Sequence, residues 1–166
     1  MLIVSNTSPL NYLILIGAVE VLPALHGRVV IPIAVSEELR APASPGLVRN
    51  WMEHPPSWLE IRRPKSLPDK RLAHFGRGER DAILLAQELH ATLLIDEARA
   101  FQEAQVRSIP VLRTLGILDR AAEQGLIDLP QVVERLRQTN FRVRPEILDQ
   151  LLAQHASRSK PPSGSS

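Results

Sequence analysis

The chain has 166 residues, 44% of them hydrophobic, with no cysteine and a formal net charge of +2. That length suits one domain with a core that needs no covalent staples. The absent cysteines exclude disulfide frameworks, thiolate nucleophiles and cysteine-ligated zinc. No apolar run approaches membrane-spanning length, and residues 2–4 are too few for the hydrophobic region of a signal peptide. A cytoplasmic protein without a membrane partner is the expectation. Of twenty basic residues only Lys65, Lys70 and Lys160 are lysines. An arginine excess suits phosphate recognition, because the guanidinium fork pairs two oxygens at once, but arginine-biased codon usage produces the same excess.

In chain order, the apolar run at residues 2–5 predicts a first strand that ends at Asn6. Ser8-Pro9 predicts a helix start, with serine as N-cap and proline in the first helical position. That helix should stop near Gly17, and another is expected over residues 18–25. Residues 28–31 predict a second strand closed by Pro32, followed by a helix over 33–40 with Val35 and Leu39 facing inward. At about 100° per residue, Glu38 borders that inner stripe and Glu37 points away. A short helix is expected over 47–54 and a strand over 58–61. Residues 62–77 form a long, proline-marked basic connection, and long loops of this kind often serve as lids or binding loops.

The next stretch, Gly76 to Arg99, carries the densest pattern in the chain. From Glu79 the apolar residues Ala82, Leu85, Ala86 and Leu89 recur at helical spacing. Residues 92–95 read as a short strand covered on both faces, and Asp96 stands where it stops. Beyond it, helices are expected over 97–107, 114–124, 131–138 and 145–154, with a strand over 109–112 and Gly125 as a helix terminator. Residues 139–144 join the last two helices. Residues 1–156 are read as a single domain, and the polar stretch 157–166 as a disordered tail.

Strands alternating with helices predict an α/β fold, a three-layer α/β/α sandwich around a mostly parallel sheet. In such sheets the carboxyl ends of strands and the adjacent helix starts share one rim, where ligands bind. Glu79, Asp81 and Asp96 are therefore expected to converge. Each has an ordinary alternative: Asp96 as the N-cap of the following helix, Glu79 and Asp81 as charges complementing a helix dipole. Three acids on one rim repel and raise one another's pKa unless a cation sits among them. Mg²⁺ or Mn²⁺ suits hard oxygen ligands, and either ion activates water and steadies the leaving oxygen of a phosphodiester. Arg62, Arg63, Lys65, Lys70, Arg71, Arg77 and Arg80 lie against only Asp69 and Glu79, a positive approach suited to the phosphates of a polyanionic substrate. A solvated surface loop is the commoner explanation for such a run. Trp51, Trp58 and Phe75 are expected in the core rather than as base-stacking platforms.

Several short motifs in sequence order resemble one family. They are Val4-Ser5-Asn6-Thr7-Ser8-Pro9-Leu10, Ile31-Pro32 with Glu37-Glu38-Leu39, and Gly78-Glu79-Arg80-Asp81-Ala82-Ile83 with Leu85-Ala86. Leu94-Ile95-Asp96-Glu97, Thr114-Leu115-Gly116-Ile117-Leu118 and Gly125-Leu126-Ile127 complete the set. Over residues 2–152 the chain resembles the PIN domains, and within them a VapC-like toxin subfamily. The resemblance implies a metal-dependent endoribonuclease with three or four acids around Mg²⁺ or Mn²⁺, and an antitoxin protein as partner. Carried over by position, the family's acids fall on Asn6, on Glu38, on Asp81 or Glu79, and on Asp96. Thr7, Ser8, Glu97 and Thr114 are candidate assisting residues. Two positions depart from the pattern: Asn6 is neutral where the family has its first acid, and Arg113 stands where the subfamily often has glycine. The alternative is a catalytically impaired PIN-like module that binds RNA or a partner protein. Helix surfaces near Trp51 or in the last two helices are the expected seats for an antitoxin or a second copy of the chain.

Overall fold

The computed structural model describes residues 1–159. Five strands form one sheet in the order β3-β2-β1-β4-β5, and every pairing is parallel. They are β1 (Ile3–Ser5), β2 (Val29–Pro32), β3 (Leu59–Arg62), β4 (Thr92–Leu94) and β5 (Val111–Leu112). The helices are α1 (Thr7–Leu15), α2 (Val21–His26), α3 (Ile33–Arg40), α4 (Gly46–Glu53), α5 (Arg77–Leu89), α6 (Ala98–Val106), α7 (Thr114–Glu123), α8 (Leu129–Arg137) and α9 (Pro145–Ser159).

Strand pleating sorts the core into two halves, because successive side chains point to opposite faces. Ile3, Val29, Ile31 and Leu94 join the cluster under α1 to α4 and α7 to α9. Val4, Val30, Leu93 and Ile95 join the cluster under α5 and α6. The result is the three-layer α/β/α sandwich that the alternating pattern predicts. Trp51 and Trp58 pack on the first cluster with ring centroids 5.8 Å apart, and Phe75 packs on the second. All three are partly buried against the core.

Several boundaries differ for local reasons. Helix α1 begins at Thr7 rather than after Ser8, so Asn6 occupies the N-cap position and Pro9 sits within the first turn. Proline is harmless there, since first-turn N–H groups have no partner inside the helix. The helix ends in a Schellman motif: Gly17 adopts φ +71°, its N–H bonds to the Ile14 carbonyl, and Ala18 N–H bonds to Leu13. That turn delays α2 to Val21. The basic connection is not structureless: a 3₁₀ turn at Lys70–Leu72, capped by Asp69, inserts Leu72 fully into the core. Residues 157–159 continue α9 instead of starting a tail. The rest of the expected tail, 160–166, lies outside the described residues. No helix among the described residues is long and apolar enough to cross a membrane.

Strand order reverses at β1: from it the chain proceeds to β2 and β3 on one side, and β4 and β5 lie on the other. The carboxyl ends of β1 and β4 therefore flank the switch point, where crevices open in sheets of this type. Ser5 pairs with Leu94, and Asn6 N–H donates to the Leu94 carbonyl at 3.1 Å. Asn6 and Asp96 are thus delivered to the same rim by backbone register alone.

Candidate active site

Asn6 follows β1 and is only 4% exposed. Its backbone is fully used, but its Oδ1 is buried and has no hydrogen-bond partner. Buried polar atoms are nearly always paired, so an orphaned carbonyl oxygen on a ligand-binding rim marks a place for a missing donor or cation.

Asp96 lies just beyond β4 and is not the N-cap of α6. Glu97 holds that position, without a side-chain cap bond. The Asp96 carboxylate reaches sideways to the start of α7, where Thr114 N–H donates to Oδ1 at 2.9 Å and Thr114 Oγ1 donates to Oδ2 at 2.6 Å. Thr114 is itself fully buried, so both carboxylate oxygens are fixed in place. A carboxylate oxygen keeps lone-pair capacity after one such bond, and Asp96 remains able to accept a cation.

Glu38 comes from α3, as its phase on that helix predicts, and accepts a hydrogen bond from Thr7 Oγ1. It lies over α5 at Gly78, where an added Cβ would sit 2.5 Å from Glu38 Oε1. Glu37 points elsewhere and pairs with Arg77 at 2.7 Å. Glu79, half-buried in the first turn of α5, holds its proton more tightly than an ordinary glutamate. Burial is the main cause, with the nearby Glu97 and Glu38 charges adding to it and Arg99 opposing it. The charges of Glu38, on α3, and Glu97, at the start of α6, thus both lie near enough to Glu79 on α5 to act on it. Asp81 does not feature among the charges acting on Glu79, and its carboxylate meets Arg80 Nε at 3.4 Å.

The acids are grouped but not closed into a chelate: among the described residues, no three His, Cys, Asp or Glu side chains are close enough to hold one ion. The donor chemistry nevertheless suits a hard divalent cation. Asn6 offers an unused amide oxygen, and Glu38, bonded to the neighbouring Thr7, adds a carboxylate close by.

Of the basic stretch, Arg62 pairs with Glu60, Arg71 with Glu103 at 2.9 Å, Arg77 with Glu37 and Arg80 with Asp81. Arg63, Lys65 and Lys70 are exposed and make no ion pair among the described residues. Sequence reasoning missed a second wall. Ser8, Tyr12, Asp96, Glu97, Asn140 and Arg142 line a cleft of about 370 Å³. Tyr12 OH donates to Asn140 Oδ1 at 2.8 Å, and its ring meets Phe141 edge-on at 5.0 Å. The only signal for this wall is the run Phe141-Arg142-Val143-Arg144 in an otherwise plain connection.

A PIN-domain family model matches residues 2–157. The chain belongs to the PIN-domain family. No curated protein matches it. Among solved structures it is similar to a PilT N-terminus domain protein from the hyperthermophilic archaeon Sulfolobus solfataricus. The identity is 14% and the TM-score 0.51, over 86% of this chain and 100% of that one. At that identity the likeness speaks for the PIN fold alone. PIN domains are generally nucleases that use divalent metal ions, and the acidic rim lies at the switch point of that fold.

Proposed function

We propose that this PIN domain is a Mg²⁺- or Mn²⁺-dependent endoribonuclease and the toxin half of a type II toxin–antitoxin pair. The observation that carries the reading is the buried, unpartnered Oδ1 of Asn6 on the rim it shares with Asp96, beside the Glu38, Glu79 and Glu97 group. Asn6, Glu38, Glu79 and Asp96 would hold the metal. Glu79 takes the third position in preference to Asp81, because Glu79 feels the charges of Glu38 and Glu97 while Asp81 is turned to Arg80. When bound, the ion supplies Lewis acidity and an activated water for phosphodiester hydrolysis. Thr114 keeps Asp96 aimed through two hydrogen bonds, and Thr7 does the same for Glu38. Glu97 adds a further carboxylate near Glu79. The toxin assignment rests on the order of the motifs, from Asn6-Thr7-Ser8-Pro9 to Gly125-Leu126-Ile127.

The neutral amide of Asn6 favours a second reading, an RNA- or protein-binding module whose centre lacks one charge. Cleavage of a mixed single-stranded RNA panel in Mn²⁺, Mg²⁺ or EDTA, by wild type and Asp96→Asn, separates the two. The nuclease reading requires cutting that depends on metal and disappears in the variant. Folded wild type that leaves every RNA intact in both metals supports the module instead.

A further inference from the structure

The side of the rim opposite α3 holds a groove that the acids do not explain. It is about 650 Å³ and begins at Asp96. It follows β5, an edge strand of the sheet, with Leu112, Leu115, Val143 and Ile147 among its apolar lining. Phe141 stands between this groove and the smaller cleft that contains Tyr12, and both open on Asp96. Three arginines lie along the groove: Arg113, stacked over the Phe101 ring at 4.4 Å, and the exposed Arg142 and Arg144. None of the three makes an ion pair among the described residues. In the basic stretch 62–80, by contrast, four of seven cations are tied to carboxylates of the same chain.

Unpaired guanidinium groups beside an apolar slot complement one chemistry well, a phosphodiester strand with an unstacked base. Arginine forks suit phosphate oxygens, and an apolar slot beside an aromatic edge accepts the face of a base. A base can enter only when it is free of its own duplex, so the slot selects single strands. We infer that the segment 139–144, not the basic stretch 62–80, is the main grip on RNA: Arg142 and Arg144 hold phosphates beside Asp96, and the groove along β5 receives one unpaired base. This inference deepens the nuclease reading and rests on it for the identity of the strand as substrate. Arg142 is close to the centre, since it lines both the Tyr12 cleft and the groove together with Asp96.

The test is fluorescence anisotropy of the full chain with a labelled single-stranded RNA of mixed sequence, in EDTA, across a salt series. Arg142→Gln/Arg144→Gln is compared with wild type and with Arg63→Gln/Lys65→Gln/Lys70→Gln, each checked for folding by circular dichroism. The groove inference requires the double variant to bind roughly 10-fold more weakly, with a salt slope smaller by about 1.4 for two lost phosphate contacts on a single strand. The triple variant should lose less, and duplex RNA should compete poorly. In Mn²⁺ the double variant should raise KM by a similar factor and change kcat little. Wild-type affinity in the double variant, with the loss carried by the triple, overturns the inference and leaves the nuclease reading standing. RNA binding through Arg142 and Arg144 without cleavage in either metal upholds the grip and overturns the nuclease. Wild type that binds no RNA overturns both.

Discussion

Gly78 shows how closely the acidic rim is built. A Cβ there would lie 2.5 Å from Glu38 Oε1 and 3.0 Å from its Cδ, so the carboxylate, the free end of a flexible side chain, would have to swing away. Gly78→Ala should therefore leave stability equal or raise it by up to about 1 kcal/mol through helix propensity. If Glu38 is a ligand as proposed, the same change should lower metal-dependent cleavage roughly 10-fold by displacing it. Full activity in a folded Gly78→Ala protein would remove Glu38 from the centre. Asn6 gives the complementary prediction. Asn6→Asp adds a buried negative charge near Asp96 and Glu38, so in EDTA its melting temperature should fall below that of wild type. In Mn²⁺ it should gain more than wild type does, because a ligand that binds only the folded state stabilises it in proportion to affinity. An equal thermal response to Mn²⁺ in both proteins would mean that Asn6 does not face the ion.

The segment between β3 and α5 is a pinned element rather than a free basic arm. Glu103 on α6 is 7% exposed and accepts hydrogen bonds from Arg71 at 2.9 and 3.1 Å and from Arg107 at 2.9 Å. Arg107 also grips both oxygens of Asp69 at 2.9 Å, so two carboxylates and two arginines clamp the segment to α6. The Arg71 hydrogen bond, reinforced by Arg107, holds the Glu103 carboxyl below the usual glutamate range. Arg107 does the same for Asp69. With folded-state pKa values depressed, the unfolded chain binds more protons in acid. The stabilisation is thus complete above the unfolded values of about 4.3 and 3.9, and is lost as pH falls through the folded ones. Glu103→Gln should flatten the acid limb of a stability-against-pH curve and lower stability at pH 7 by on the order of 2 kcal/mol. It should also speed proteolytic nicking within residues 63–76. An unchanged acid limb would show that the clamp does not form in solution.

Across the whole molecule, α9 closes the structure by packing on α7 and α8, with Leu148 2% exposed in the larger core cluster. Arg158 near its end pairs with Asp119 and Glu123 of α7. Leu148→Ala should cost about 3 kcal/mol, through lost burial and the cavity left behind. For a chain of this size that lowers the melting temperature by roughly 10 °C. Because the 139–144 segment leads directly into α9, RNA affinity should drop in the same variant. A loss of stability with no change in RNA affinity would separate the closing helix from the site.

Local pattern alone determined the alternation of strands and helices, the ends of β1 and β4 at Asn6 and Asp96, and the inward phase of Glu38 on α3. These features depend on side-chain period and on strand and helix termini, which are written within a few residues of each other. The proposed preference for Glu79 over Asp81 was not legible, because both lie in the first turns of one helix and it rests on their neighbours in space. Nor was the hold of Thr114 on Asp96, 18 residues away, or that of Thr7 on Glu38, 31 residues away. Arg71 and Arg77 read as part of an open arm because their acidic partners, Glu103 and Glu37, are 32 and 40 residues distant, whereas the partners of Arg62 and Arg80 stand within two residues of them. Tertiary structure decided which charges are spent inside the molecule and which face outward, since ion pairing depends on distance in space. For the same reason it alone placed the 139–144 segment beside an aspartate more than forty residues earlier in the chain.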